Sequence, residues 1–225
     1  SSCKPRLQGR TGRSILMYNW VVFDIDGTLV DTETAILSSL QRLVAEELGK
    51  HLGLEELGFA FGIPGEETLK RLGIGNVREC CERWGRYMRE CSDRVRVFDG
   101  IREALAGLKE RGASMGIVTS KTREEFLFDF APRGLAGYFG VVVCADDTER
   151  HKPHPDPILK FIELSGADKS KTIYIGDTRY DMECALGAGV SFRLAAWGSG
   201  RSTKISAGCV LESPGQLLDL VQRGQ

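Results

Sequence analysis

Two aspartates stand one residue apart at the end of a short apolar run. Asp24 and Asp26 belong to the segment Asp-Ile-Asp-Gly-Thr, at the end of the run formed by residues 20–25. Carboxylates this close repel each other unless a cation or a proton lies nearby. The pair is therefore a candidate for metal binding or acid–base chemistry. A solvated acidic turn is the alternative for this motif taken alone.

A second acidic pair follows another apolar run, residues 172–175. Asp177 and Asp181 are four residues apart at a predicted helix start, so their side chains share a face and repel each other without a cation. Mg²⁺ fits best, because it is a hard cation that prefers oxygen ligands. Helix capping by Asp177 is the alternative, and it leaves Asp181 unexplained.

Hydroxyl and ammonium groups follow the two apolar runs between these acidic pairs. Thr119 and Ser120 stand at a predicted helix start, where backbone N–H groups favour a phosphoryl oxygen, although both are also ordinary capping residues. Lys152 lies in a proline-rich loop that would hold its ammonium near a bound phosphate, and a solvated surface lysine is the alternative. His151 and His154 have the spacing of a ligand pair, but the adjacent prolines favour a loop role.

These residues follow strand-length apolar segments that alternate with amphipathic helices. Thr122 and Glu125 form a predicted capping box, and Asp156 and Pro157 are predicted to open a later helix as cap and first residue. The alternation predicts an α/β fold with a doubly wound parallel sheet, whose ligands bind at the carboxyl ends of the strands. The predicted strands are residues 20–25, 113–118, 141–144, 172–175 and 190–195, and the predicted helices are residues 101–111, 155–164, 179–188 and one from 122.

The first strand is separated from the others by a charged, helix-like segment. Apolar residues from Ile36 to Leu48 recur at helical spacing and stop at Gly49, and no convincing strand appears before about residue 94. We therefore predict an inserted α-helical cap over residues 33–95 and an α/β core over residues 17–32 and 96–225. Residues 1–16 are polar and aperiodic, which predicts a disordered leader.

Composition excludes several classes of protein. The 30 basic and 31 acidic residues of the 225 give a net charge of −1 and no extended basic region, which argues against binding to nucleic acid or to a membrane surface. No apolar run approaches the roughly 20 residues of a spanning helix. The seven cysteines lack zinc spacing, so Cys80, Cys81 and Cys91 are not expected to bind metal. Cys144 and Cys184 are expected to be reduced core thiols in a cytoplasmic protein.

The strand-end residues together resemble the four motifs of the haloacid dehalogenase-like superfamily. The motifs are similar to residues 24–28, Thr119, Lys152 and residues 176–181 of this chain, and the resemblance runs from about residue 17 to 221. The insertion resembles the helical cap of the branch that contains phosphoglycolate phosphatase, pyrophosphatase and β-phosphoglucomutase. Residues 61–65 look like the substrate-specificity loop of that branch.

The resemblance implies a residue-by-residue division of roles. Asp24 would attack phosphorus to form an aspartyl phosphate, and Asp26 would protonate the leaving oxygen and then activate water. Mg²⁺ would be held by the Asp24 carboxylate, the Asp26 backbone carbonyl and Asp177, with Asp181 ligating it or orienting one of its waters. The substrate phosphoryl group would bind Thr119, Ser120 and Lys152.

The expected activity is hydrolysis of a small phosphorylated metabolite, such as a phosphoglycolate-like phosphomonoester. Dehalogenase members of the superfamily lack an acid at the position of Asp26. In β-phosphoglucomutase-like members a histidine usually follows the first motif closely, whereas this chain has Ile36, which favours a hydrolase over a phosphotransferase. Pyrophosphate hydrolysis is a second candidate activity, and a binding module without catalysis is a third candidate function. Arg71, Arg83 and Arg86 could contact an anionic leaving group or lie on a solvated surface, and the sequence does not indicate an oligomeric state.

Overall fold

The computed structural model describes residues 18–198 and 210–222. Its strands are β1 Trp20–Phe23, β2 Val30–Asp31, β3 Arg96–Val97, β4 Ser114–Val118, β5 Val141–Val143, β6 Thr172–Gly176, β7 Ser191–Ala195 and β8 Val210–Leu211. Its α-helices are α1 Glu33–Leu48, α2 Leu54–Leu57, α3 Gly65–Arg71, α4 Val77–Glu90, α5 Ile101–Glu110, α6 Arg123–Glu125, α7 Asp156–Ser165 and α8 Arg179–Gly187. Short 3₁₀ segments occupy Gly58–Ala60, Ser92–Arg94, Ala131–Arg133, Ala136–Tyr138, Ala145–Asp147, Lys169–Lys171 and Pro214–Leu220, and Phe126–Phe130 is π-helical.

Six strands form one parallel sheet in the order β5-β4-β1-β6-β7-β8, which confirms the predicted doubly wound α/β fold. Successive side chains of a strand point to opposite faces, so the apolar run of β1 supplies both layers of the core. Phe23 packs in the cluster that contains Leu105 of α5. Val22 packs in the cluster that contains Phe161 of α7 and Cys184 of α8. The sheet is therefore covered on both faces, and its carboxyl edge stays available for the site.

Two two-residue strands join the core to the insertion. β2 pairs with β3 in antiparallel fashion, with Val30 opposite Val97 and Asp31 opposite Arg96. The sequence did not predict this pair, because two residues are too few to show alternation. For the same reason β8 was missed. The predicted first strand at residues 20–25 ends at Phe23 in the structure, so Asp24 and Asp26 lie in the loop beyond it.

Helices α1 to α4 lie between these two strands, in the segment that we call the helical insertion, residues 33–95. The insertion has an apolar core of its own, in which Leu40, Leu69 and Trp84 are buried. The Trp84 Nε1–H donates to Ser39 Oγ at 2.9 Å, which satisfies the polar atom of the buried indole. α1 ends at Leu48 and is followed by Gly49, where the sequence predicts the helix to stop; this C-cap glycine has a φ of 62°. The boundaries of the insertion as a separate unit stay a prediction.

Helix starts agree with the sequence in one place and differ in another. The predicted capping box of Thr122 and Glu125 is confirmed. The predicted cap at Asp156 and first residue at Pro157 are wrong, because Asp156 is the first residue of α7 and Pro157 the second. Asp156 instead accepts a hydrogen bond from Arg150 Nε at 3.0 Å. The predicted leader, residues 1–16, lies outside the described residues. Within 18–198 and 210–222, no helix has the length and apolar character needed to cross a membrane.

Candidate active site

The loop after β1 packs directly on the loop after β6. The Asp24 backbone N–H donates to the Ile175 carbonyl at 2.9 Å. Gly27 has a φ of 77°, and a Cβ at this position would overlap the Asp177 carboxylate, so only glycine allows the two loops to approach this closely. On its other side the loop is held by Trp197, whose Nε1–H donates to the Thr28 carbonyl oxygen at 2.8 Å. The first and fourth motifs are thus brought together at one sheet edge.

Lys152 connects the loop after β1 to the start of α8 through ion pairs. Its Nζ lies 2.9 Å from Asp24 Oδ1 and 2.8 Å from Asp181 Oδ1. Lys152 and Asp24 are each 3% exposed, and Asp181 is fully buried. Burial lowers the pKa of Lys152, but the carboxylates of Asp181 and Asp24 outweigh it and raise the pKa above its usual range. Lys152 therefore carries a fixed positive charge next to the predicted nucleophile, and it is not a solvated surface lysine.

Asp181 is held by hydrogen bonds to both of its oxygens. Oδ2 accepts from the Thr178 backbone N–H at 3.0 Å and from the Thr178 hydroxyl at 2.6 Å. Oδ1 accepts from Lys152 and lies 3.1 Å from the hydroxyl of Tyr174, a buried residue of β6. Thr178, not Asp177, is the N-cap of α8. Each Asp181 oxygen thus has two partners, and its role toward a metal, as a ligand or in orienting a bound water, stays a prediction.

Three carboxylates converge next to Lys152. One carboxylate oxygen from each of Asp24, Asp177 and Asp181 lies within 4.8 Å of the others, and all three residues are buried. With all groups ionised, these three carboxylates and the Lys152 ammonium carry a net charge of −2. Burial raises the pKa of Asp24; Lys152 opposes this rise, and the neighbouring Asp181 and Asp26 carboxylates add to it. A divalent cation would offset this negative charge, so the residues fit the predicted metal.

Thr119 and Ser120 follow β4 beside this cluster. Thr119 is 3% exposed, and its Oγ1 accepts from the Lys121 backbone N–H at 3.2 Å. Ser120 Oγ donates to the Gly62 carbonyl oxygen at 2.9 Å, so it contacts the helical insertion. Both hydroxyls lie at the predicted sheet edge, and their roles in binding a phosphoryl group stay predictions.

Asp26 faces a lysine that the sequence analysis did not single out. Lys121 Nζ lies 3.3 Å from Asp26 Oδ1 and 3.3 Å from Asp129 Oδ2. Lys121 is 8% exposed, and Asp129 belongs to the π-helical segment after α6. Burial lowers the pKa of Lys121, but Asp26 and Asp129 reverse this effect and raise it above its usual range. Asp26 is therefore in contact with a second buried cation, the Lys121 ammonium.

A cavity of about 640 Å³ separates the sheet edge from the helical insertion. Asp24 and Asp26 line it from the core together with Ser120 and Lys121. The insertion contributes apolar, acidic and basic side chains to its wall, among them Ile36, Ile63, Glu66, Trp84, Arg86 and Arg89. Ligand pockets commonly occupy about 300–1,000 Å³, so the cavity can hold a small phosphoester over the nucleophile.

The remaining candidate residues divide between surface and site. Arg71 pairs with Glu67 and Arg83 with Glu47, whereas Arg86 lines the cavity. Side chains that could together hold a metal ion form clusters of three within residues 18–198 and 210–222. His151 and His154 belong to none of these clusters, nor do Cys80, Cys81 and Cys91. The five cysteines of the described residues are free thiols, and Cys144 and Cys184 are buried as predicted.

Sequence reasoning missed four residues that position the site: Lys121, Asp129, Tyr174 and Trp197. Tyr174 gave a usable signal, because a tyrosine in a strand buried on both faces must find a partner for its hydroxyl. Lys121 directly follows the hydroxyl pair, but its direction depends on a loop conformation that spacing does not reveal. Asp129 had no signal, since its orientation depends on the local π-helical turn.

Comparison with known proteins agrees with this geometry. The family model described as haloacid dehalogenase-like hydrolase matches residues 21–195. A protein of Caldanaerobacter subterraneus assigned as pyrophosphatase PpaX is 37% identical over 79% of this chain and 81% of its own length. Pyrophosphatase PpaX of Halalkalibacterium halodurans is 31% identical over 90% of this chain and 96% of its own.

Solved structures show the same architecture. A Lactobacillus plantarum protein assigned as a phosphoglycolate phosphatase superposes with a TM-score of 0.82 and 26% identity, and the match covers 91% of this chain and 99% of that one. The family model spans most of the chain, and each of the four strand-end motifs lies at the carboxyl edge of the sheet. The chain therefore belongs to the haloacid dehalogenase-like hydrolase family.

Proposed function

We propose that this protein is a cytoplasmic, Mg²⁺-dependent phosphatase that hydrolyses a small phosphomonoester through an aspartyl phosphate on Asp24. One observation carries the proposal: Asp24 borders the cavity while its carboxylate is held by Lys152 within the buried group of Asp177 and Asp181. A carboxylate held in this way faces the ligand space at a fixed position, which is what in-line attack on phosphorus requires.

The reaction has two displacement steps. Asp24 Oδ bonds to phosphorus as the bond from phosphorus to the leaving oxygen breaks, and Asp26 gives its proton to that oxygen. Asp26 then takes a proton from water as the water oxygen attacks phosphorus, which releases inorganic phosphate and regenerates the Asp24 carboxylate. Asp26 borders the same cavity as Asp24, as both proton transfers require.

Charge stabilisation is assigned to the residues around the nucleophile. We propose that the Asp24 and Asp177 carboxylates and the Asp26 carbonyl would hold Mg²⁺, and that Asp181 would ligate it or orient one of its waters. When bound, the cation supplies positive charge next to the phosphoryl oxygens. Lys152 adds a fixed charge there, and the Thr119 hydroxyl donates a hydrogen bond to the same oxygens. The Ser120 hydroxyl would join it by exchanging its present bond to the Gly62 carbonyl oxygen for one to the phosphoryl group.

Pyrophosphate hydrolysis is the second candidate, because the curated relatives described above carry that name. A phosphotransferase is less favoured, since Ile36, in the place where β-phosphoglucomutase-like proteins usually have a histidine, lines the cavity with an apolar side chain. A binding module without turnover would be expected to have lost one of the strand-end residues, and all of them are present.

Asp24→Asn tests the proposal. The amide keeps the shape of the side chain but is a poor nucleophile, so we expect phosphate release to fall by at least about 1,000-fold with the fold unchanged. Release should be measured with phosphoglycolate, pyrophosphate and sugar phosphates, with Mg²⁺ and with a chelator. Asp219→Asn, in the C-terminal 3₁₀ segment away from the cavity, is the matched control. Turnover near the wild-type rate in Asp24→Asn would exclude covalent catalysis by this residue.

A further inference from the structure

A chain of three charged side chains lies beside the nucleophile, with a buried lysine between two partly buried carboxylates. Asp26, Lys121 and Asp129 come from the loops after β1 and β4 and from the π-helical segment, and the ammonium lies 3.3 Å from each carboxylate. Breaks in regular α-helix of this kind occur frequently at functional sites. Asp129 alone could neutralise Lys121, so the contact with Asp26 calls for a separate explanation.

The backbone of Lys121 is fixed at two points. Its N–H donates to Thr119 Oγ1 at 3.2 Å, and its carbonyl oxygen accepts from the Ala145 N–H at 2.8 Å. The side chain is almost fully buried and ends between two carboxylates, so the ammonium has little freedom to move. A cation held in this way can fix the carboxylate that it contacts.

We propose that Lys121, held by Asp129, is a positioning residue for Asp26. The ion pair ties Asp26 Oδ1 to Lys121 and leaves Oδ2 to exchange the proton with the leaving oxygen and then with water. The inference rests on the proposed function, because that function gives Asp26 its proton-transfer role. Lys121 stays protonated in both steps and forms no covalent bond.

Direct contact between Lys121 and the substrate is the competing explanation, since Lys121 also borders the cavity. The two explanations predict different kinetics. A substrate contact mainly raises KM, and it affects all anionic leaving groups alike. A positioning residue mainly affects the rate of proton transfer, so its loss matters most for leaving groups that need a proton.

The test combines Lys121→Met and Asp129→Asn with two phosphomonoesters. In single-turnover reactions with Mg²⁺, we expect Lys121→Met to slow transfer from an alkyl phosphate about 10- to 100-fold, because small misplacements of a catalytic group cost this much. Transfer from p-nitrophenyl phosphate should change by less than about threefold, since p-nitrophenolate leaves without a proton. Asp129→Asn should shift the ratio of the two rates in the same direction by a smaller factor. Lys160→Met removes a partly exposed lysine of α7, away from the cavity, and should leave the ratio unchanged.

A crystal structure of Lys121→Met provides a readout that is independent of turnover. We expect the Asp26 carboxylate to leave its present position or to occupy more than one conformer. An unchanged single conformer, equal losses for the two esters, or a rise in KM alone would each overturn the proposal. Failure of the proposed function gives different results. In that case the wild-type protein would release no phosphate, or the Asp24→Asn variant would release it at the wild-type rate.

Discussion

Buried charge is the dominant energetic feature of the site at the scale of single residues. Lys152 is the only cation that contacts Asp24 and Asp181 within the described residues, and all three side chains are almost fully removed from water. Removing one partner from such a group leaves an uncompensated charge, which typically costs about 3–5 kcal/mol. The stability of the fold and the chemistry of the site therefore depend on the same ammonium.

Lys152→Met tests this dependence. We expect the free energy of unfolding without divalent ions to fall by about 3–5 kcal/mol, because three carboxylates then stay buried together. Mg²⁺ should restore part of that loss, since the cation binds the folded carboxylate group more tightly than the unfolded chain. Urea unfolding with and without Mg²⁺ measures both effects.

Lys160→Met is the matched control, because Lys160 is more exposed and pairs with Glu163 on the surface of α7. Its free energy of unfolding should change by less than about 1 kcal/mol, with no dependence on Mg²⁺. Equal effects of the two substitutions would contradict the importance of the buried pair.

Sequence alone identified the acidic and basic motif residues because each one follows a strand, and parallel strands end at one edge of the sheet. Asp24, Lys152 and Asp177 were predicted on this basis, and the structure places them together. The direction of a side chain within a loop is a different problem. Lys121 reaches Asp26 from a loop and Asp129 reaches Lys121 from a π-helical turn, and neither residue has a periodic signal in the sequence.

At the scale of elements, the segment of the insertion formed by residues 61–65 contacts two loops of the core. Gly62 accepts a hydrogen bond from Ser120 through its carbonyl oxygen, and its Cα faces Thr178, the N-cap of α8. Gly62 has a φ of 83°, and a Cβ there would lie 2.9 Å from Thr178 Oγ1. The insertion is therefore seated on the strand-end loops through a position that favours glycine.

Gly62→Ala should disturb this seating. We expect kcat/KM for phosphate release to fall about tenfold or more, because the added methyl group separates the insertion from the loops that carry Ser120 and Thr178. Gly73→Ala is the matched control in the same insertion, since Gly73 has a φ of 75° and no atom within 4 Å of an added Cβ. It should lower stability by about 1–2 kcal/mol without changing kcat/KM. Equal losses of kcat/KM would point to backbone strain alone.

Regular elements were predictable from apolar periodicity, and the joints between them were not. The five longer strands of the sheet, β1 and β4 to β7, and helices α1, α5 and α8 follow runs of apolar residues that are long enough to recognise. The β2–β3 ribbon has only two residues on each strand. It is defined by pairing between residues far apart in the sequence, and no local apolar pattern marks it. The chain leaves the core at β2 and returns to it at β3. The connection between core and insertion is therefore the part of the fold that the sequence predicts least well.

At the scale of the whole molecule, the core and the insertion each line part of the cavity, so the two ends of a substrate would contact different parts of the chain. Under the proposed function, the phosphoryl end would face Asp24 on the core and the leaving group would face the insertion, since both parts of the chain line the cavity. The wall of the insertion is mixed in charge, with Glu66 and Glu82 as well as Arg86 and Arg89. Glu66 pairs with Lys70 and Glu82 with Arg78, whereas no ion pair involving Arg86 occurs within residues 18–198 and 210–222. Arg86 is thus available to a negatively charged leaving group.

Arg86→Met tests the assignment of the leaving group to the insertion. For phosphoglycolate and pyrophosphate, whose leaving groups carry a negative charge, we expect KM to rise about fivefold or more with kcat little changed, because an exposed charge contact contributes about 1 kcal/mol to binding in both ground and transition states. For p-nitrophenyl phosphate KM should stay the same. Arg78→Met, at an almost fully exposed residue of the same helix, controls for the loss of a surface charge. A uniform rise of KM for all three substrates would mean that Arg86 acts on the phosphoryl end, and the proposed orientation of the substrate across the cavity would be wrong.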